Sequence, residues 1–444
     1  FHQAVLLSLM KFPLHTRIFI GMVVGATLGL VTQFAGTPPE TVDAIIKWVK
    51  PVGDIFLRMI FMMVIPLILS GLMLGIADLG DLKKVGRIGL ITLMFSVVVT
   101  TISVFIGIGL TALVRPGDGL NAAERTVLVE RFGETTQTVA GNMNAVREKS
   151  IGEIIVSLVP RNPLEDMVNA FNPNYTGGGL LAVMFFAVIA GIALSRADKE
   201  RTSTFKRMLE GLYDLVMEAI KMAMQLAPFG VAALLYTMTA KMGWGIFIVL
   251  SKYVLVVVAA LAIHQFGTYS LLLKFIGGMN PGFFFRNIRE AMLTAFSTSS
   301  SNATLPTAIR VAQNNLKLPR DVSNFVLTVG STANQNGTAL YEGVTVLFLA
   351  QVFGVQLELS QQIFVVLICI LAGVGTAGVP GGSLPVIMVI LVSVGIPAEG
   401  IAIIYGVDRL LDMCRTTTNV TGDIVASVVA SRFAEPEPAE APLQ

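Results

Sequence analysis

Charge is scarce in this sequence. Only 14% of its 444 residues are Asp, Glu, Lys or Arg, against roughly 25% in soluble globular domains. The 31 basic and 29 acidic side chains leave a formal charge of +2 and no basic stripe, so no nucleic-acid partner is expected. Two cysteines, Cys369 and Cys414, both sit in apolar surroundings and exclude a disulfide framework or a thiolate metal cluster. Three histidines, His2, His15 and His264, give no HExxH or other ligand spacing. No Ser/His/Asp set and no paired acids with a base are visible, so neither an enzyme nor an organic cofactor is expected. KFPLHTR precedes the first apolar run and nothing beyond it resembles a cleavage site, so no cleavable leader is expected.

What fills the chain instead is hydrocarbon. Hydrophobic residues make up 54% and the mean hydropathy is +0.75, too apolar for one soluble core. The fold class this implies is an all-α polytopic membrane protein. A spanning helix needs roughly 20 apolar residues. Candidates are 17–35, about 51–78, 88–114, about 178–195, about 208–238 and 245–273. Lys11 and Arg17 precede the first span, and Lys83, Lys84 and Arg87 follow the second. Arg196, Lys199, Arg201, Lys206 and Arg207 follow the fourth, and Lys274, Arg286 and Arg289 the sixth. If every segment spans, these share one side, which places the N-terminus in the cytoplasm. Residues 116–150 read as an extramembrane loop of mixed charge, and the acidic, Pro-rich EPEPAEAPLQ as a disordered tail.

Beyond 275 the apolar segments are broken in their middles. AFSTSSSNATLP (295–306) and GTAGVPGGSLP (375–385) are small-residue interruptions ending in Leu-Pro, each followed by a long apolar helix with polar residues in it. Irregular backbone is not tolerated against lipid, so such segments face protein or a water-filled cavity. Two of them at corresponding places in two halves point to a binding site between the halves. The alternative is that both are ordinary extramembrane loops.

The most informative segment is DRLLDMCRTTTNVTGD (408–423). At 100° per residue, Asp408, Asp412, Arg415, Asn419 and Asp423 fall within an arc of roughly 80°, with Thr416 at its edge. Each charge at membrane depth costs at least ~2.5 kcal/mol, so the stripe calls for a function. Arg415 and Asp412 can simply neutralise each other, but that leaves Asp408, Asp423 and Asn419 unexplained. A zwitterion with an extra carboxylate suits the set. A guanidinium grips a carboxylate with two hydrogen bonds, an Asp holds an ammonium, and an Asn amide donates to a second carboxylate. Asp423 with backbone carbonyls would suit a dehydrated Na⁺. A second polar stretch, STANQNGTALYEG (331–343), sits between two apolar runs and reads as the unwound middle of a helix facing a cavity.

TSSSNATLP, NxxGTALYEG, GTAGVPGGSLP and DxxxDxxRTxxNVxGD together resemble the glutamate/aspartate transporter family, the dicarboxylate/amino acid:cation symporters whose eukaryotic members are the excitatory amino acid transporters. The likeness runs over most of the chain and is densest from about 285 to 430. It implies a homotrimer in a prokaryotic cell membrane, with eight transmembrane helices, inverted repeats and re-entrant hairpins around 285–315 and 360–395. It also implies an elevator mechanism. Residues 1–115 would supply scaffold helices and the third helix of the transport domain, and 116–150 the loop. Residues 151–275 would hold the remaining scaffold and transport helices, 276–432 the core transport domain, and 433–444 the tail. Carried over, Arg415 would bind the substrate side-chain carboxylate, Asp412 the amino group and Asn419 the α-carboxylate. Thr416 and Thr338 would add hydroxyl contacts, and backbone near Ser300, Ser301, Gly378 and Val379 would close the pocket. The stretch Gly378–Gly382 would be the gate. Asp423, Asn334, Asn419 and Gly330 would form one Na⁺ site, and carbonyls near Thr332 a second.

The sequence also departs from that pattern. Where members coupled to three Na⁺ carry Asn-Met-Asp-Gly-Thr, this chain has Asn334-Gln335-Asn336-Gly337-Thr338. Asn336 replaces an aspartate ligand of the third Na⁺ site, and an ungapped alignment puts Ser96, Val99 and Thr100 where its other side chains lie, so that site looks degraded. Glu342 occupies the position at which proton-coupled members carry glutamate, and a carboxylate at membrane depth suits a proton carrier. The alternative is a plain buried or cavity-wall acid. The arginine found in the family at Ser299 or Met413 is absent, which puts a potassium-dependent return step in doubt. The expected function is symport of aspartate or glutamate, with coupling shifted from three Na⁺ toward H⁺ or a reduced Na⁺ requirement. Alternatives are a C4-dicarboxylate or neutral amino acid transporter, a fully Na⁺-coupled aspartate transporter, or an ion channel.

Overall fold

Long apolar helices with few internal breakers set the layout. The computed structural model describes residues 14–82, 87–120, 159–170, 179–242, 244–375 and 383–433, with 156, 172 and 175 singly. No strand occurs among them. Helix α1 (Leu14–Phe34) is followed by α2 (Pro39–Phe61) and α3 (64–82), the last with a wide turn at Ile68–Leu72. Next come α4 (Arg87–Val114), the short α5 (Pro163–Val168), α6 (Gly179–Arg196) and α7 (Lys199–Met242). Helix α8 (245–277) carries two wide turns, Ile263–Thr268 and Leu273–Gly277.

Among the described residues, five stretches are long and apolar enough to cross a membrane: Thr16–Phe34, Pro39–Ala77, Arg87–Gly119, Lys199–Lys241 and Gly245–Gly277. Two of them differ from the sequence expectation at their start. The second begins at Pro39 instead of 51, because proline is tolerated in a first helical turn, and Pro51 is carried inside α2. The fifth expected span, 208–238, lies within a 44-residue helix that is about 66 Å long at 1.5 Å per residue. That exceeds a bilayer, so its charged first turns must extend beyond the apolar layer.

Glycine spacing fixes how closely α1 approaches α7. Gly21, Gly25 and Gly29 stand four residues apart, and a Cβ at Gly25 would run into the carbonyl of Ala232. Backbone-to-backbone contact of this kind is a main source of helix association where water supplies no driving force. Gly25→Leu is therefore expected to part the two helices and lower the thermal midpoint, at a cost of about 1–3 kcal/mol for the overpacking. A thermal-shift measurement in detergent checks it, with the exposed Leu28→Ala as the neutral control.

The second half is built from two helical hairpins, each followed by a long buried helix. The first hairpin is α9 (Pro281–Asn287), α10 (Arg289–Thr298) and α11 (Ser301–Asn314), with Ser299 in the left-handed region at φ 51° and Ser300 capping α11. Then come α12 (Arg320–Ala333) and α13 (Asn336–Phe353). The second hairpin pairs α14 (Leu359–Gly375) with α15 (Ser383–Ser393), and its tip lies outside the described residues. A short 3₁₀ turn, Ala398–Ile403, leads into α16 (Tyr405–Phe433). Helix α16 packs on α4, α8, α10, α11, α12 and α13. It is therefore enclosed by protein, and the same holds for nearly every residue of α13. Enclosure is what lets these two helices carry polar side chains at this depth.

The loop expected over 116–150 does not start as a free loop. Pro116–Gly119 form a tight turn after Arg115, which has φ 48°. The Gly117 amide donates to Gln351 Oε1 at 3.0 Å, which pins the turn onto α13. Residues 121–150 and the expected tail from 434 onward lie outside the described residues.

Candidate functional site

The stripe on α16 is buried as a unit: Asp408, Asp412, Arg415, Asn419 and Asp423 are each no more than 5% exposed. A helix places them on one face because they recur at three- and four-residue spacing. Thr416, at the edge of the arc, is buried beside them.

The charged end is a compact ionic cluster. Arg415 Nε donates to Asp412 Oδ1 at 2.9 Å, and Nη2 lies 2.9 Å from the same oxygen. Its Nη1 donates to Asp408 Oδ1 at 3.3 Å. Tyr341 donates its hydroxyl to that oxygen at 2.7 Å, and the guanidinium stands 4.4 Å over the Tyr341 ring. Arg409, on the other flank of Asp412, donates from Nη1 to Oδ2 at 3.4 Å. The neutralising pair considered from the sequence does form, and it draws in Asp408. Two carboxylates and a stacked guanidinium in one dry place can exchange partners with a ligand that brings an ammonium and a carboxylate.

Below this cluster the α12–α13 helix is interrupted at Asn334 and Gln335, as the polar sequence there predicts. Asn334 keeps its amide on Gly330 O, whereas the Gln335 amide donates to Gly373 O of α14 at 3.0 Å. The break is closed by side chains. Asn419 Oδ1 accepts from the Gly337 amide at 2.7 Å and from the Thr338 amide at 3.3 Å. Asn419 Nδ2 donates to Gln335 Oε1 at 2.5 Å and Thr338 Oγ1 at 3.0 Å. A directed chain runs alongside. Tyr269 donates to Asn336 Oδ1 at 2.7 Å, Asn336 Nδ2 to Asn334 Oδ1 at 3.1 Å, and Asn334 Nδ2 to Asp423 Oδ1 at 2.9 Å. Gly330 makes the last contact possible, since a Cβ there would stand 2.5 Å from Asp423 Oδ1.

Of the four residues expected at one cation site, Asp423, Asn334 and Gly330 meet at the helix break, whereas Asn419 spends its amide on Gly337, Thr338 and Gln335. Among the described residues no group of three or more His, Cys, Asp or Glu could hold a transition metal, and the oxygen-rich chemistry suits a hard alkali cation. Thr100 is buried on α4 with its hydroxyl unpartnered, while Ser96 bonds back to Thr92 O and Val99 is an apolar core residue. Thr332 is exposed and its hydroxyl bonds back to Val329 O, so it adds no side chain to a second cation site. Ser300 accepts from the Ala303 amide at 3.2 Å as a helix cap, and the Ser299 and Ser301 hydroxyls are buried without partners. Gly378 and Val379 lie outside the described residues. Glu342 is wholly buried on α13, and neither carboxyl oxygen has a hydrogen-bond partner.

Several site residues escape a reading of the sequence. Tyr341 and Tyr269 look like ordinary apolar-helix aromatics, yet one holds Asp408 and the other holds Asn336 and, at 3.0 Å, Thr418 O. Ser103 lies on α4 with its hydroxyl 2.8 Å from Asn336 O. The polar tip of each side chain inside an apolar run is the one signal that could have singled them out, since a buried hydroxyl needs a partner.

Comparison with known proteins bears on the same residues. A family model described as the sodium:dicarboxylate symporter family matches residues 14–433. A proton/sodium-glutamate symport protein of Bacillus subtilis is 35% identical over 424 residues, covering 95% of this chain and 93% of the relative. A proton/glutamate-aspartate symporter of Escherichia coli is 32% identical over 424 residues, covering 95% and 93%. A C4-dicarboxylate transport protein of Solibacter usitatus is 30% identical over 426 residues, covering 96% and 93%.

Proposed function

For a chain that belongs to the sodium:dicarboxylate symporter family, we propose secondary active symport of an acidic amino acid, aspartate or glutamate. One observation carries it: a buried Asp408–Asp412–Arg415 cluster lies one turn from the Asn419 amide. Arg415 takes the side-chain carboxylate, Asp412 the ammonium and Asn419 the α-carboxylate, with Thr338, Thr416 and the start of α11 at Ser300 and Ser301 closing around them. The asparagine-rich break supports a reduced Na⁺ requirement. Asn336 brings no charge, and its amide is spent on Asn334 and Tyr269. Asp423 remains the one carboxylate there to attract a cation, and Glu342 offers a route for a proton.

The repeated hairpin-plus-helix organisation supports the rest. The chain would have eight spanning helices and two re-entrant hairpins, act as a homotrimer in the cell membrane with its N-terminus cytoplasmic, and move residues 276–432 as the core of an elevator. Residues around Gly378 and Val379 would gate the site. Uptake of labelled aspartate into proteoliposomes, with Na⁺ and pH gradients imposed one at a time, tests the function. Saturable uptake driven by an acid-outside gradient is expected. Complete dependence on Na⁺ with no response to the pH gradient would overturn the coupling, and saturable uptake of succinate alone would overturn the substrate.

A further inference from the structure

The charged cluster contains one more cation than the substrate scheme uses. Asp412 lies between two arginines on its own helix, Arg409 three residues before it and Arg415 three residues after it, which sets them on opposite flanks at 60° each way around the helix. They hold it unequally. Arg415 is 2% exposed, approaches Oδ1 through two nitrogens at 2.9 Å, and is fixed further by Asp408 and the Tyr341 ring. Arg409 reaches Oδ2 through one bond of 3.4 Å, its side chain is 19% exposed, and its buried Nε has no hydrogen-bond partner. Of the two guanidiniums, Arg409 is the one that can leave.

We propose that Arg409 is a specificity-determining residue that occupies the ammonium position on Asp412 until an amino acid displaces it. The proposal rests on the pocket assigned above. With Arg409 in place, the four groups Asp408, Asp412, Arg409 and Arg415 sum to zero charge. An entering amino acid brings its own ammonium to Asp412 Oδ2, and Arg409, the more exposed of the two guanidiniums, swings away from it. A C4-dicarboxylate has no ammonium to offer. It leaves the Arg409–Asp412 pair intact, and it needs that pair, because without Arg409 the cluster of Asp408, Asp412 and Arg415 carries one net negative charge, which would repel it. Arg409 therefore opposes amino acids, which must displace it, and assists dicarboxylates, which do not. This gives a physical basis for discrimination between the two ligand classes on one scaffold, and for tuning it by a residue that need not touch the ligand.

The test compares binding of L-aspartate and succinate to wild type, Arg409→Gln and Arg409→Lys, by calorimetry on the purified full chain at one Na⁺ concentration and pH. Arg409→Gln is expected to tighten aspartate about tenfold and to weaken succinate by a similar factor, effects of opposite sign that loss of fold cannot produce. Arg409→Lys retains a cation that can cap Asp412, and should restore the wild-type ratio. Changes of equal factor and sign for both ligands, or weaker aspartate in Arg409→Gln, would overturn the assignment of Arg409 while leaving the pocket standing. Wild-type protein that binds neither ligand would overturn the pocket assignment, and the role of Arg409 with it.

Discussion

Arg415→Cys is expected to abolish measurable aspartate binding, a loss of at least about a thousandfold. Arg415 is the sole cation in contact with both Asp408 and Asp412 among the described residues, and a bidentate guanidinium–carboxylate pair cannot be replaced by a thiol. The same change leaves two buried carboxylates short of a partner, a situation that costs about 3–5 kcal/mol. Loss of binding could then reflect loss of fold. The double variant Asp412→Asn, Arg415→Cys separates the two, because it removes one negative charge along with the positive one. Its thermal midpoint should recover most of what Arg415→Cys loses, while aspartate binding stays absent. Titration calorimetry with a thermal-shift assay on the same samples reads both. Aspartate affinity within tenfold of wild type in a folded Arg415→Cys protein would remove Arg415 from the pocket.

The features of this site that were legible in the sequence are those carried by local periodicity and by cost. The α16 stripe is one, because five polar residues within 80° of arc on a helix between apolar runs have no reason to exist without partners. The break at Asn334 and Gln335 is another, because four polar or glycine residues in succession cannot face lipid as regular helix. What stayed hidden depends on chain segments far apart in sequence. Nothing near Tyr341 indicates that its hydroxyl meets Asp408, 67 residues on. Nothing near Ser103 indicates Asn336, 233 residues away. The start of α2 at Pro39 is hidden in the sequence for a different reason. Its first three turns carry Glu40, Asp43 and Lys47, so hydropathy fades before the helix does.

The asparagine chain gives the departure at 336 a physical meaning. An aspartate there would have no N–H to donate, and Asn334 Oδ1 would lose the bond it receives from Asn336 Nδ2. It would also place a second carboxylate within a short chain of Asp423, and two such charges need cations between them. With Asn336, each amide passes a hydrogen bond to the next and the single charge on Asp423 receives the last one. On the function proposed above, such a site would call for fewer ions, and coupling would draw on another ionisable group at the same depth.

Glu342→Gln is expected to abolish uptake driven by an acid-outside gradient, by at least about tenfold, while exchange of internal for external aspartate persists. Glu342 is fully enclosed by α13 and its neighbours, with neither oxygen hydrogen-bonded. An ionised carboxylate in such a place costs several kcal/mol, so the group sheds its charge by taking up a proton, or keeps it only through a rearrangement that admits a partner. Glutamine matches its size and cannot carry that proton. Exchange needs substrate binding and movement of the loaded site but no net proton transfer, so it should survive the substitution. A second readout follows from linkage: if substrate and proton bind together, aspartate affinity in wild type tightens as the pH falls, and in Glu342→Gln it is flat with pH. A thermal-shift measurement guards against simple unfolding, because a buried amide without partners itself costs about 1–3 kcal/mol. Retention of gradient-driven uptake in Glu342→Gln, with the same pH dependence of affinity as wild type, would move the proton to another residue.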